Sequence, residues 1–158
     1  MEQYIHPFID VAKNTFINFL GTELRVGRPY LKKSDAVNEW DISGVISLSG
    51  EVRGAVVISM KNPLATRLTG MLTGENHKST DEDVIDAIGE IINIIAGNAK
   101  KGLEEAYRLI ISLPTIVEGP GHHIDWPSKQ ARIICIPFSI FESETFNLLV
   151  AIETVKDK

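Results

Sequence analysis

Residues 79–103 read STDEDVIDAIGEIINIIAGNAKKGL. This stretch decides the fold, because it joins the strongest helical pattern in the chain to the only polar constellation at regular spacing. Ser79 and Thr80 offer hydroxyls for an N-cap, with Glu82 and Asp83 three residues on in a capping-box arrangement. Asp81, Glu82 and Asp83 fall where the helix dipole favours negative charge. At about 100° per residue, Val84, Ile85, Ile88, Ile91, Ile92, Ile94, Ile95, Ala96, Ala99 and Leu103 cover more than half the circumference. One long, mostly buried helix is therefore expected.

The uncovered strip carries Asp86, Glu90, Asn93, Gly97 and Lys100, spaced four, three, four and three apart, so their side chains share one face. A solvated face under no other demand favours Lys, Glu, Arg or Gln. This one holds an asparagine and a mid-helix glycine, the latter costing roughly 1 kcal/mol against alanine. A requirement other than helix stability selects them, and Gly97 serves either to admit the backbone of a partner or to pack closely against a neighbouring element of the same chain. Asn98 falls inside the apolar arc and reads as a hydrogen-bonded structural residue.

Working outward, residues 7–20 repeat apolar positions at helical period, and Gly21 stands where a C-cap glycine belongs. The polar residues of that first helix, Asp10, Asn14 and Asn18, follow at intervals of four and read as a solvated face. Residues 23–38 form an extended connection of mixed charge. Residues 42–48 and 52–60 are β-rich runs joined at Ser49-Gly50, an antiparallel hairpin. Asn62-Pro63 then supply the N-cap and first position of a short helix closing at Gly74.

After the long helix, residues 107–117 read as a strand interrupted or ended by Pro114, and residues 118–130, EGPGHHIDWPSKQ, as a long turn-rich loop free to move. His122, His123 and Asp125 invite a metal reading, yet adjacent histidines on an extended chain point apart and no third spaced ligand accompanies them. Residues 132–138 and 145–154 make a final antiparallel pair. The order lacks the regular alternation of a doubly wound sheet, so the fold class is α+β: an antiparallel sheet with helices packed on one face.

The 158 residues suit a single domain, 1–158, with a core needing no disulfide or metal. A net charge of −5 without a basic patch gives no support to nucleic-acid binding. Cys135, the only cysteine, sits in the apolar run RIICIPF and reads as a small buried hydrophobe. The start, MEQYIHPF, has no signal-peptide pattern and no run reaches about 18 apolar residues. No membrane span and a cytoplasmic location are expected.

Asp86-xxx-Glu90-xx-Asn93, set in DAIGEIINIIAGNAKKGL, resembles the active-site helix of the CheC/CheX/FliY phosphatases, which dephosphorylate the chemotaxis response regulator CheY. The single-site layout is most similar to the CheX branch. The likeness runs through the opening helix, the hairpin SGVISLSGEVRGAVVISM and the helix after it, with Pro114 spaced slightly short of the family's downstream proline. It implies a CheC-like fold with an internal pseudo-repeat, of which the sequence itself gives only a faint hint.

The resemblance also implies a chemistry. A carboxylate and a carboxamide alone lack a nucleophile, a second acid and a metal. An aspartyl-phosphorylated receiver domain brings the acyl phosphate, Mg²⁺ and a lysine, so this chain itself needs no cofactor. Asn93 then holds a water in line with phosphorus, Glu90 pairs with the receiver's lysine, and Asp86, Gly97 and Lys100 contact the partner. A homodimer stays open. Two other classes compete: a non-catalytic receiver-binding or flagellar-switch-like adaptor, and a free-standing hydrolase using Glu90 as base, which needs a pocket and a metal.

Overall fold

The structure, a computed structural model, describes residues 4–32, 38–77, 81–126 and 132–155. Its elements are α1 (Ile5–Leu20), β1 (Leu24–Val26), β2 (Tyr30–Leu31), β3 (Ile42–Gly50), β4 (Val52–Met60), α2 (Asn62–Thr73), α3 (Glu82–Leu103), β5 (Leu109–Ile111), β6 (Thr115–Glu118), β7 (Ile134–Ile140) and β8 (Glu144–Thr154). The strands form one eight-stranded sheet in the order β1-β7-β8-β4-β3-β5, with β2 also on β7 and β6 also on β3. Every pairing is antiparallel. The two hairpins, β3–β4 and β7–β8, meet along β4 and β8. Beyond that seam the connectivity establishes no internal repeat.

Alternation along the strands separates the two faces. Val56 and Ile58, Ile134 and Ile136, and Leu148 and Val150 join the helices in the main core. Their neighbours Val57, Cys135 and Leu149 gather on the opposite face under Ile124 and Trp126. The helices thus pack on one face, as the pattern of elements predicts. Cys135 is buried, and burial pushes its thiol up. The phenol of Tyr30 is pushed up to about 12, chiefly through its contact with Cys135 and then by burial.

Each helix seats for an identifiable reason. α1 ends on Gly21 at φ 63, where the Gly21 N–H donates to Ile17 and the Thr22 N–H to Phe16. Phe16 stacks on Phe146 at 5.1 Å, and Phe146 on Phe138 at 5.3 Å, which fastens α1 over β7 and β8. α3 approaches β3 closely at Gly44, where an added Cβ would stand 3.1 Å from Ile92 and 3.3 Å from Ile88. α2 packs on α3, and Arg67 ties α2 to the β7–β8 turn by its 2.7 Å bond to Glu144 and its place over the Phe141 ring.

Several sequence expectations shift. The α3 cap is Asp81, whose Oδ1 accepts from the Val84 N–H at 3.0 Å; Ser79 and Thr80 lie outside the described residues. α2 starts one residue early, with Lys61 at the cap, because the Asn62 N–H is taken by Asp41. The run containing Pro114 is interrupted rather than ended, since β5 and β6 both pair with β3. The extended connection holds two short strands on β7. The last hairpin begins at Ile134, leaving Arg132 and Ile133 outside it.

The first part of the long loop is pinned rather than free. His122 Nε2 lies 2.6 Å from Ser43 Oγ, which in turn meets Ser59, while Asn38 donates to the His122 carbonyl and Gly119 to that of Asp41. Buried hydroxyls on the outer sheet face have to be satisfied, and the loop supplies the partner. Residues 127–130 lie outside the described residues.

Candidate functional site

α3 is one continuous helix of 22 residues, and its sides decide what it can present. Val84, Ile88, Ile91, Ile92 and Ile95 are buried against the sheet and the other helices. Asp86, Glu90 and Asn93 are exposed, so the acid and the amide stand together on the accessible face. Glu90 and Asn93 are separated by about 60° around the axis, and their Cβ atoms by about 5–6 Å. Gly97 is half-buried with nothing among the described residues within 4 Å of where a Cβ would be, so no described element closes on it. Lys100 forms an i,i+4 pair with Glu104 at 3.7 Å, a half-exposed contact of small energy that leaves the ammonium near the ridge.

Asn98 departs from expectation. It is exposed and makes no side-chain hydrogen bond among the described residues. Instead of facing the core, it lines a cleft between α3 and α1. Helical angle alone placed it among apolar residues, but α1 leaves that edge of α3 open.

Two clefts among the described residues, one beside α2 and the other between α1 and α3, do not include Glu90 or Asn93. The acid–amide pair lies on the exposed face of α3, outside both of these clefts. An exposed helix face of this kind can be received by a partner with its own cavity.

Other titratable groups have local duties. His123 pairs with Asp125 at 2.9 Å, and His122 turns to Ser43 and Gly119, so the three loop residues do not converge. At the joint of α2 and α3, ligand atoms of Glu75, His77 and Asp83 lie within 4.8 Å of one another. Sequence spacing did not single out this group. The two ring nitrogens of His77 are already engaged, Nδ1 with Asp81 and Nε2 with Thr73. The Asp81 carboxyl is lowered mainly by His77 and then by the Val84 N–H, so this cap is lost only as the pH falls through the depressed value.

On α1, Asp10, Asn14 and Asn18 are all exposed and have no acid-xx-amide spacing. Asn14→Ala is expected to leave the maximal phosphatase rate nearly unchanged in a folded protein. A loss as deep as that of an Asn93 variant would reveal a second active site on α1.

Fold and ridge together define the class: an antiparallel sheet backed, among the described residues, by three helices, of which α3 shows an acid and an amide to the outside. A CheC-like superfamily protein from Shewanella sp. PV-4 superimposes with a TM-score of 0.86 at 31% identity, over 97% of this chain and 99% of the other. Residues 42–139 match the family described as chemotaxis phosphatase CheX, and the chain belongs to that family. It is 26% identical to the CheY-P phosphatase CheX of Thermotoga maritima over 95% of this chain and 96% of that one. It also resembles, at 26% identity and a TM-score of 0.80, the structure of a CheX-CheY-BeF3-Mg2+ complex from Borrelia burgdorferi, over 96% of this chain and 98% of that chain. No helix among the described residues is long and apolar enough to cross a membrane.

Proposed function

We propose that this chain hydrolyses the aspartyl phosphate of a CheY-like receiver by inserting the α3 ridge into the receiver's active site. The observation that carries the reading is the exposed Glu90–Asn93 pair on a helix surface outside the clefts. Membership of the CheX family and the existence of a CheX-CheY complex with BeF3, a stand-in for a phosphoryl group, support the same partner. The Mg²⁺ belongs to the receiver.

In this reading Asn93 orients a water in line with phosphorus, a positioning role like that of amides in GTPases. Its carboxamide offers both a donor and an acceptor, enough to fix one water between helix and phosphoryl group. Glu90 pairs with the receiver's lysine and sets the register. Asp86, Gly97 and Lys100 line the rest of the contact, Gly97 by letting the partner come close. The whole chain, 1–158, acts as one domain in the cytoplasm. Two copies pair in the same proposal, for β5 ends the sheet with Ile110 exposed and Leu113 exposed just after the strand, an edge suited to a second chain.

Inorganic phosphate should be released from a phosphorylated receiver but not from a small phosphate ester such as p-nitrophenyl phosphate. Hydrolysis of both would point to a free-standing hydrolase, and of neither to an adaptor. Glu90→Ala should weaken receiver binding, and added salt should weaken the wild-type complex more steeply than the variant's. Titration at two ionic strengths reads this directly; equal salt slopes would remove the ion pair from the account.

A further inference from the structure

We propose that the cleft between α1 and α3 is a second contact surface for the same receiver, one that takes an uncharged apolar side chain together with the main chain around it. The inference rests on the phosphatase reading above and extends it to how the partner is recognised.

Continuity with the ridge comes first. Around α3, measured from Asn93, Gly97 stands at about 40°, Glu90 at about 60°, Ile94 at about 100° and Asn98 at about 140°. Ile94 and Asn98 line the cleft. A body that touches Asn93 and Glu90 therefore extends toward the cleft by small steps in one direction, and meets α1 there.

The chemistry of the lining comes second. Asn14, Asn18 and Phe19 of α1 face Ile94 and Asn98 of α3. Phe19 is 50% exposed, a large apolar surface left to water. The side chains of Asn14, Asn18 and Asn98 make no hydrogen bond among the described residues, so three amides border an apolar floor with donors and acceptors free. Among the described residues no titratable group lines the cleft. The volume is about 270 Å³, room for a side chain or two rather than a whole helix. Free amides match the N–H and C=O groups of a loop, and Phe19 with Ile94 matches an apolar side chain. The ridge itself is charged, so ridge and cleft read different features of one partner.

The test uses the full chain and a purified CheY-type receiver, activated with BeF3 and Mg²⁺ for binding and phosphorylated for turnover. Asn98→Lys fills the cleft and charges it; Phe19→Ser removes its apolar wall. Both replace exposed residues, and an unchanged melting curve checks folding. Each should raise Kd and KM about tenfold while kcat at saturating receiver stays as in the wild type. For Phe19→Ser the loss should be the same at low and high salt, unlike that of Glu90→Ala.

An unchanged Kd in both variants would overturn the cleft proposal while leaving the phosphatase reading standing. Loss of self-association with unchanged Kd would assign the cleft to a second copy and also overturn it. If the wild type bound the receiver yet released no phosphate, the phosphatase reading would fall, and the Kd comparison would still decide the cleft.

Discussion

Asn93→Ala is expected to lower the maximal rate of receiver dephosphorylation by about a hundredfold or more, the scale on which a single positioned transition-state group acts. In the proposed mechanism the receiver holds the phosphoryl group and its Mg²⁺ and this chain fixes the water, and no other residue on the exposed face of α3 has an amide in reach of Glu90. Binding should survive, because the water is held most tightly as the transition state forms. Single-turnover decay at saturating concentrations separates the two quantities. Asn93→Asp keeps the size but sets a carboxylate beside the phosphoryl group and loses the donor, so it should do no better than alanine. Near-normal turnover in Asn93→Asp at neutral pH would make general-base chemistry the better account.

The second large effect lies in the sheet. Gly54 pairs with Ile152 where β4 crosses β8, and a Cβ built there would overlap the carbonyl oxygen of Ala151. That atom is backbone in the middle of the sheet and cannot swing aside like the end of a side chain. Gly54→Ala should therefore destabilise by about 3 kcal/mol and lower Tm by about 10 °C. Gly97 is the contrast: a helical glycine in open space, where alanine should stabilise by about 0.5–1 kcal/mol. Thermal melts of the two variants should move in opposite directions. A Gly54→Ala protein as stable as the wild type would mean that β4 and β8 pair differently.

The contrast also shows which information was legible in the chain. α3 announced itself because fixed apolar spacing and a required side-chain face are written in one continuous stretch, and Glu90 and Asn93 came out exposed, as their angle on that helix predicted. The hairpin of β3 and β4 was equally plain, because the turn at Gly50 needs a left-handed residue, φ 103, against the Arg108 carbonyl. β1 and β2 were not legible. Three and two residues long, they carry no period of their own and exist because β7 offers an edge.

Asn98 failed for a related reason. A helical wheel reports which residues share a side, not which neighbouring helix covers it, and the gap beside α1 is a property of the packing. Gly44 and Gly54 were available as signals, since glycine inside a strand marks close approach, but the approaching groups, Ile92 and the Ala151 carbonyl, are far away in sequence. His122 was visible as a loop histidine; its partner Ser43 is 79 residues away.

The account stands or falls on catalysis by the ridge. The decisive measurement is the decay of a phosphorylated CheY-type receiver, with Mg²⁺ present, after mixing with a substoichiometric amount of this protein, the wild type beside Asn93→Ala. The account predicts that each wild-type chain clears many receivers and that decay with Asn93→Ala follows the receiver's own rate, although that variant still binds. Unaccelerated decay with the wild type, under conditions where the complex is shown to form, would contradict it.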